Sequence, residues 1–485
     1  MSKDEGITVK KNDDFSEWYS QICSKIELAD LRYNVKGFVV YRYWSVKSMK
    51  KMYVLFEEAL ERKGHKPYIF PSLIPESNFK MEASHVEGFT PEVFWVTEHG
   101  AGEKFEEKLA LRPTSETAMY QMYSLWIRSY NDLPFKAYQS CQVWRYEGKA
   151  TRPFFRGREF YWIEAHDVFS SLKEAEAQVK DDMETTKEVM YEKFGIPFIF
   201  FERPQWDKFA GAINTYAADT MMPSGRVLQL PSTHLLGQNF SKPFNVQFKD
   251  KEGKMQYGYI TCYGPAISRI YGAMIAIHGD DKGLILPFEL APIQVVIVPF
   301  MFADTKEKVL EKCNHIKKEL HDFAVEIDIN ENYSPGYKFH DYEMKGVPIR
   351  IEVGPKDLEK KQFNVFRRDL NKKEAVKEED LIREIKKIIS EFTNNLKKKA
   401  DDFFKSTISE AKDKEELKRE LDKGKLVKCN FCSNEMKGVK CAETVEKDLQ
   451  GNVRGIRHDK VEKPNGNCII CNGKAEAVVY IAKSY

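Results

Sequence analysis

Two segments of alternating polarity, residues 137–145 and 158–166, flank a polar loop, 147–157, that contains Gly148, Pro153 and Gly157. Successive side chains of a strand point to opposite faces, so two such runs joined by a loop of this kind predict an antiparallel pair. The loop ends of both strands carry arginines beside acids: Trp144-Arg145-Tyr146-Glu147 on one, Arg156-Gly157-Arg158-Glu159-Phe160 on the other. A guanidinium is a rigid fork of donors that grips phosphate oxygens two at a time. Each such charge-assisted contact contributes about 1.5–3 kcal/mol. Arg145 and Arg156 can therefore hold two phosphates of one nucleotide while Phe160 stacks on a base. The competing reading is a ladder of Arg/Glu salt bridges across the pair, and surface ion pairs contribute little.

Two further groups adjoin this pair in the sequence. Arg112-Pro113-Thr114-Ser115-Glu116 lies where a strand ending near residue 113 meets a helix predicted over 115–127. The Thr114 hydroxyl and the Glu116 carboxylate can accept from an ammonium in one cleft; taken alone, the residues favour a helix cap with an acid in the first turn, which is common. In Trp162-Ile163-Glu164-Ala165-His166, alternation puts Trp162, Glu164 and His166 on one face. Buried polar groups need partners, so an aromatic wall with an acid and an imidazole suits a small-ligand pocket. There is no G-x-x-x-x-G-K-[ST], no third glycine after Gly100-x-Gly102, and no H-E-x-x-H.

A length of 485 residues predicts two to four domains, and 42% hydrophobic residues exclude wholesale disorder. A net charge of +2 excludes a globally basic nucleic-acid coat but not a local basic face. Residues 1–5 open no secretory signal, and the most apolar long run, 284–302, holds Glu289 with Pro287, Pro292 and Pro299. A membrane span is not expected, and a cytoplasmic protein is. Residues 1–60 read as helical, 68–74 as a short strand at an interface, 172–194 as a charged helix, 226–230 and 257–263 as strands, and 268–278 as a buried helix. After a boundary at 286–292, strands at 294–299, 325–329 and 349–353 alternate with helices at 306–323 and 337–345, which predicts a small α/β domain. The Lys- and Glu-rich stretch 372–428 reads as a pair of solvated amphipathic helices serving as a linker. Beyond it, Cys429-x-x-Cys432 and Cys468-x-x-Cys471 fit four-thiolate, structural zinc, with Cys441 as a spare; four free thiols are the alternative.

Taken together, these residues resemble the three motifs of class II aminoacyl-tRNA synthetases. Motif one is matched by residues 64–71 ending in Pro71, motif two by Arg145-x-Glu147 through Phe160, and motif three by Gly264-Pro265-Ala266-Ile267-Ser268-Arg269. Ser268 stands where the class pattern has a glutamate. The runs 108–117, 85–89, 234–240, 278–284, 345–355 and the terminal Lys483-Ser484-Tyr485 narrow the match to the prolyl-tRNA synthetase family of the archaeal/eukaryotic-like type, over nearly the whole chain.

The resemblance implies an α+β multidomain chain: an antiparallel-sheet catalytic domain at 1–288, an α/β anticodon-binding domain at 289–375, the charged helical linker at 376–428, and a small zinc-binding C-terminal domain at 429–485. It implies a homodimer with motif one at the interface, and proline, ATP with Mg²⁺, and tRNA(Pro) as partners. Thr114 and Glu116 would hold the prolyl amine, and Trp162, Glu164, His166 and Phe209 would form the pyrrolidine pocket. Arg145 and Arg156 would grip phosphates, with Glu147 toward the adenine end. Phe160 would stack on the adenine, with Arg269 on its other side or at the γ-phosphate, and Gln229 and Thr233 would line the nucleotide site. Glu343, Arg350 and Lys356 would read anticodon guanines, Cys429, Cys432, Cys468 and Cys471 would hold zinc, and the Tyr485 carboxylate would fold back toward the active site. Arg145 and Arg269 are 124 positions apart, and helix and strand segments account for the interval, so no editing insertion is expected. The alternatives are a sibling threonyl or glycyl enzyme, against which Trp162 and Phe209 argue, and a non-catalytic tRNA-binding paralogue, against which Arg145, Arg156 and Arg269 argue.

Overall fold

The structure, a computed structural model, describes residues 6–81, 92–148 and 150–485; the run 85–89 lies outside them. The predicted pair is the strands Phe135–Trp144 and Glu159–Phe169, antiparallel, with Val143 opposite Phe160 and Gln139 opposite Glu164. They belong to an eleven-stranded sheet. Tyr259–Gly264, Val227–Gly237, Asn214–Met221 and Ile199–Glu202 follow Glu159–Phe169 in spatial order, each antiparallel to the last.

Helices cover the sheet because their apolar stripes need a partner. Ile267–His278 has ten buried residues out of twelve, the pattern of a helix enclosed on all sides. It shares a core with Trp18, Met52 and Phe56. The predicted N-terminal helical region is two helices, Phe15–Lys25 and Tyr43–Arg62, interrupted by the short antiparallel pair Ala29–Asp30 and Val40–Tyr41. Residues 172–194 form the helix Leu172–Thr186, capped by Ser171 and Glu174, followed by a π-helical segment, Lys187–Lys193.

The second domain holds a five-stranded sheet in the order Val325–Ile327, Val295–Pro299, Ile349–Val353, Gln362–Arg367, Lys372–Lys377. The first three strands are parallel and the last two antiparallel. Val295–Pro299 and Ile349–Val353 are buried at every position, as central strands covered on both faces must be. This domain is tied to the first by Arg368, whose guanidinium donates to both carboxylate oxygens of Asp280 at 2.8 and 2.6 Å.

The expected linker at 372–428 is not a detached pair of helices. Lys372–Lys377 is the edge strand of the second sheet, and a single 26-residue helix, Leu381–Ser406, follows. Its stripe of Leu381, Ile385, Ile388, Phe392 and Leu396 is buried in the second domain's core, and Phe404 packs with Ile199, Phe201 and Tyr480. Lys414–Asp422 buries Leu417 and Leu421 in the C-terminal core. The charges that suggested a solvated linker occupy only the outer faces.

The C-terminal module is continuous with the catalytic sheet. Asn452–Arg457 pairs antiparallel with Ile199–Glu202, and Ala477–Ala482, Leu426–Phe431 and Ile408–Glu410 extend the sheet outward. The long helix is therefore a structural strut. Phe392→Ala should cost about 3–5 kcal/mol in denaturant unfolding, whereas the exposed Lys386→Ala should change stability by no more than about 0.5 kcal/mol. Equal, negligible effects would return the segment to a solvated linker.

Candidate functional site

A cavity of about 230 Å³ opens on one face of the catalytic sheet, lined by Thr114, Glu116, Arg145, Phe160, Trp162, Glu164, His166, Phe209, Gln229 and Arg269 among others. Strand alternation delivers Phe160, Trp162, Glu164 and His166 to it together. Glu164 is buried and fully engaged. It accepts from the Ser115 N–H at 3.1 Å, from Gln139 Nε2 across the strand pair at 2.8 Å, from the Ser115 hydroxyl, and from His166 Nε2 at 3.3 Å. Burial alone would raise its pKa, but the bonds from His166, Ser115 and Gln139 hold it below the usual glutamate value. Ser115 occupies the N-cap position of the helix Glu116–Trp126 without making a side-chain cap bond, because its hydroxyl serves Glu164. The Thr114 hydroxyl donates to Glu116. The helix thus carries Glu116 in its first turn without a side-chain cap from Ser115.

Two histidines face the cavity with opposite charge preferences. Burial would lower the pKa of His166, but the bond to Glu164 and the charge of Glu116 raise it; Tyr120 Oη lies 2.9 Å from its Nδ1. His234 is pushed down to about 3 by burial, with His166 and Arg203 adding to the shift. It sits between Thr215 Oγ1 at 2.9 Å and Ser232 Oγ at 3.0 Å, with the Phe209 ring 4.7 Å away.

The arginines converge at the other end. Arg145 donates from Nε to the Pro113 carbonyl at 3.0 Å and lies over the rings of Phe160 and Trp162 at 5.2 and 5.7 Å. Arg269 donates to the carbonyls of Phe155 and Gln229 at 3.3 and 3.4 Å. Its pKa is lowered to about 10 by burial and then by the charges of Arg145 and Arg156. Guanidiniums that repel one another across this end of the site offer donors and positive charge suited to an anion. Arg156, 3.7 Å from Glu147, donates to the Tyr485 main-chain oxygen at 3.1 Å. It lines a second cavity of about 590 Å³ that shares Gln229 and Arg269 with the first.

Thr233 is not in the cavity. It is buried on the opposite face, where its hydroxyl donates to Asp182 at 2.7 Å, and Ser232 lines the site instead. The cause is a register shift: Ala217 pairs with Ser232 but Asp219 with Gln229, so the strand holds one extra residue around Leu230-Pro231. A bulge reverses the alternation, which places Gln229 and Ser232 on one face and Thr233 on the other. Pro231 inside an otherwise regular strand was the signal for it. Arg203, Asp207 and Lys208 also line the cavity, without any sequence pattern that singled them out, as does His234, the first residue of the family run 234–240.

In the second domain Arg350 donates to Glu343 at 2.8 Å and to Glu352 at 3.2 Å, with its guanidinium 4.0 and 4.5 Å from the rings of Phe339 and Phe366. Lys356 lies exposed on the short helix Pro355–Lys360, apart from those contacts.

The cysteine cluster differs from the expected one. Ligand atoms of Cys432, Cys441, Cys468 and Cys471 lie within 4.8 Å of one another. Cys429 is buried in Leu426–Phe431, opposite Val479, and belongs to the module's core. Cys441 replaces it because the helix Val439–Leu449 starts beside the cluster, a placement that spacing in the chain does not report. Four thiolates fit a closed tetrahedral zinc site. Metal analysis should find stoichiometric zinc in Cys429→Ser and little in Cys441→Ser; the reverse pattern would restore Cys429 as a ligand.

The chain matches the tRNA synthetase class II core domain (G, H, P, S and T) over residues 94–278, an anticodon binding domain over 294–388, and the prolyl-tRNA synthetase C-terminal domain over 414–485. It is 54% identical to the proline–tRNA ligase of Thermofilum pendens, covering 99% of this chain and all of that one. A prolyl-tRNA synthetase of Giardia lamblia in complex with prolyl-adenylate superposes with a TM-score of 0.95 at 35% identity, over 99% of this chain and 100% of that one. The enzyme of Cryptosporidium parvum complexed with L-proline and AMP superposes with a TM-score of 0.91 at 32% identity, over 100% of this chain and 98% of that one. With three domain models matched along the chain and 54% identity over the full length of a proline–tRNA ligase, the chain belongs to the prolyl-tRNA synthetase family.

Proposed function

We propose that the two ends of the cavity are the amino-acid and nucleotide halves of one adenylation site, which activates L-proline with MgATP before transfer to tRNA(Pro). The observation that carries this is the placement of Glu116 and the Trp162–Glu164–His166 face beside Arg145 and Arg269 in one enclosed space. The prolyl ammonium donates to Glu116 and Thr114, and the pyrrolidine ring packs against Trp162, His166 and Phe209. Glu164 fixes Ser115 and His166, and so sets the pocket's shape.

The proline carboxylate then faces the α-phosphorus held by Arg145 and attacks it in line. Pyrophosphate departs toward Arg156 and Arg269. Positioning and charge stabilisation suffice for this step, so no protein nucleophile is required. A terminal ribose hydroxyl of tRNA next attacks the mixed anhydride and releases AMP. The Giardia relative, which holds prolyl-adenylate, supports this sequence. Phe160, already beneath Arg145, offers an aromatic face to the adenine, and Glu147 keeps Arg156 in place.

Glu343, Arg350 and Lys356 are the proposed readers of the anticodon guanines; a guanidinium or ammonium suits the guanine acceptor edge, and a carboxylate its N–H groups. The four clustered cysteines would hold a structural zinc that ties the helix Val439–Leu449 to the loop carrying Cys468 and Cys471. A homodimer through motif one is supported by apolar exposure there: Ile69 is 97% exposed, with Leu73 and Trp126 also open to solvent. Among the described residues no helix is long and apolar enough to cross a membrane, and we place the enzyme in the cytoplasm with the rest of translation.

Amino-acid-dependent ATP–pyrophosphate exchange tests the reading. Proline should give strong exchange, and Arg145→Ala should lower it by about 10²–10³-fold with the fold retained. Exchange at the wild-type rate in that variant would remove Arg145 from the mechanism. The pocket excludes larger side chains by contact but rejects smaller ones by only about 1–3 kcal/mol per missing methylene. Weak exchange with alanine or cysteine is therefore expected, and none with either would show discrimination beyond what the pocket's size supplies.

A further inference from the structure

The cavity wall contains a buried ionic group that the adenylation scheme does not use. Arg203, 1% exposed, donates from Nη1 and Nη2 to both oxygens of Asp219 at 2.9 and 2.7 Å. Asp219 is fully buried and receives a second fork, from Arg454 Nε and Nη2 at 2.7 and 3.1 Å. Arg454 comes from Asn452–Arg457, the strand by which the C-terminal module joins the catalytic sheet, and its carbonyl accepts from Arg203 Nη1 at 2.8 Å. Two guanidiniums thus share one carboxylate across the junction of the two units. Buried ion pairs give little net stability over apolar packing, so their presence at a cavity wall asks for another account.

The account lies in what Arg203 does with its second Nη2 hydrogen. Nη2 also donates to Gln229 Oε1 at 2.9 Å. A guanidinium has donors only, so the Gln229 amide must turn its oxygen to Arg203 and present its NH₂ elsewhere. Gln229 lines both cavities, and its carbonyl accepts from Arg269. We propose that Arg203 is a positioning residue for the nucleotide half of the site. It fixes the Gln229 amide so that its NH₂ donates to an acceptor oxygen or nitrogen of the bound nucleotide, and Arg454 of the C-terminal module clamps Arg203 through Asp219. The module thereby sets nucleotide affinity from outside the cavity. This rests on the adenylation reading of the cavity.

Gln229→Glu is the decisive variant, because a carboxylate keeps the bond to Arg203 while the amide donor is replaced by a charged acceptor that the nucleotide's own acceptor atoms would meet. Its KM for ATP in exchange assays should rise about tenfold, with KM for proline changed less than about twofold. Arg454→Ala should raise the ATP KM in the same direction, and Arg454→Lys by less, since an ammonium keeps the charge but not the fork. In the Gln229→Glu background, Arg454→Ala should add less than about twofold, because both act through one contact. Fully multiplicative effects, or ATP KM values within about twofold of wild type in both Arg454 variants, would overturn the proposal. Zinc content and thermal melting check that the module is intact; if Arg454→Ala fails to fold, Arg454→Lys carries the same cycle. ATP affinity by calorimetry, which needs no proline, repeats the cycle independently. Absence of proline-dependent exchange in the wild type would defeat the adenylation reading, whereas an unchanged ATP affinity in the variants would defeat this one.

Discussion

The register of one antiparallel strand pair aims Phe160, Trp162, Glu164 and His166 into the cavity. Gln139 faces Glu164 across the strand pair, and its amide donates to that carboxylate while its oxygen accepts from the Phe70 N–H of the motif-one segment. A slip of one residue would turn Phe160, Trp162, Glu164 and His166 to the opposite face and replace them with their neighbours. The back of the same strands resists such a slip. Asp167, next to His166 in the chain, bonds His65 Nε2 at 2.9 Å behind the sheet. Buried polar pairs on both faces leave only one register in which all are satisfied.

Charge in the site is arranged by contrast. Carboxylates gather at one end of the cavity, where Glu164 is held below the usual glutamate range, against the effect of burial, by the donors that surround it. Guanidiniums gather at the other, where burial and then the charges of Arg145 and Arg156 lower the pKa of Arg269. Aromatic faces separate the two ends: Phe160 and Trp162 carry Arg145 on one side and form the pocket wall on the other.

The chain's other parts act on this sheet through contacts that cross long sequence distances. Arg368 forks Asp280 just past the helix that carries Arg269, and its Nε also holds the Glu343 carbonyl at 2.8 Å. The C-terminal module adds strands to the sheet, brings Tyr485 onto Arg156 and places Arg454 on Asp219. The module is a wall of the second cavity as much as a domain in its own right.

Local pattern was sufficient for the pieces whose signal is short-range. The strand pair, the polar loop, the buried helix after Pro265 and the α/β alternation beyond residue 292 all follow from periodicity and breakers, because hydrogen bonding between neighbours and side-chain alternation are local rules. The family's motifs then gathered most of the pocket, from Thr114 to Arg269. What tertiary structure decided were the questions that depend on phase or on distant packing. A bulge at Leu230-Pro231 reversed the alternation and put Ser232 where Thr233 was expected. A helix arriving from elsewhere made Cys441 a member of the sulfur cluster and left Cys429 in a core. The charged run after residue 372 became a strand and a strut, because its apolar stripe found cores in two domains that no window of sequence contains.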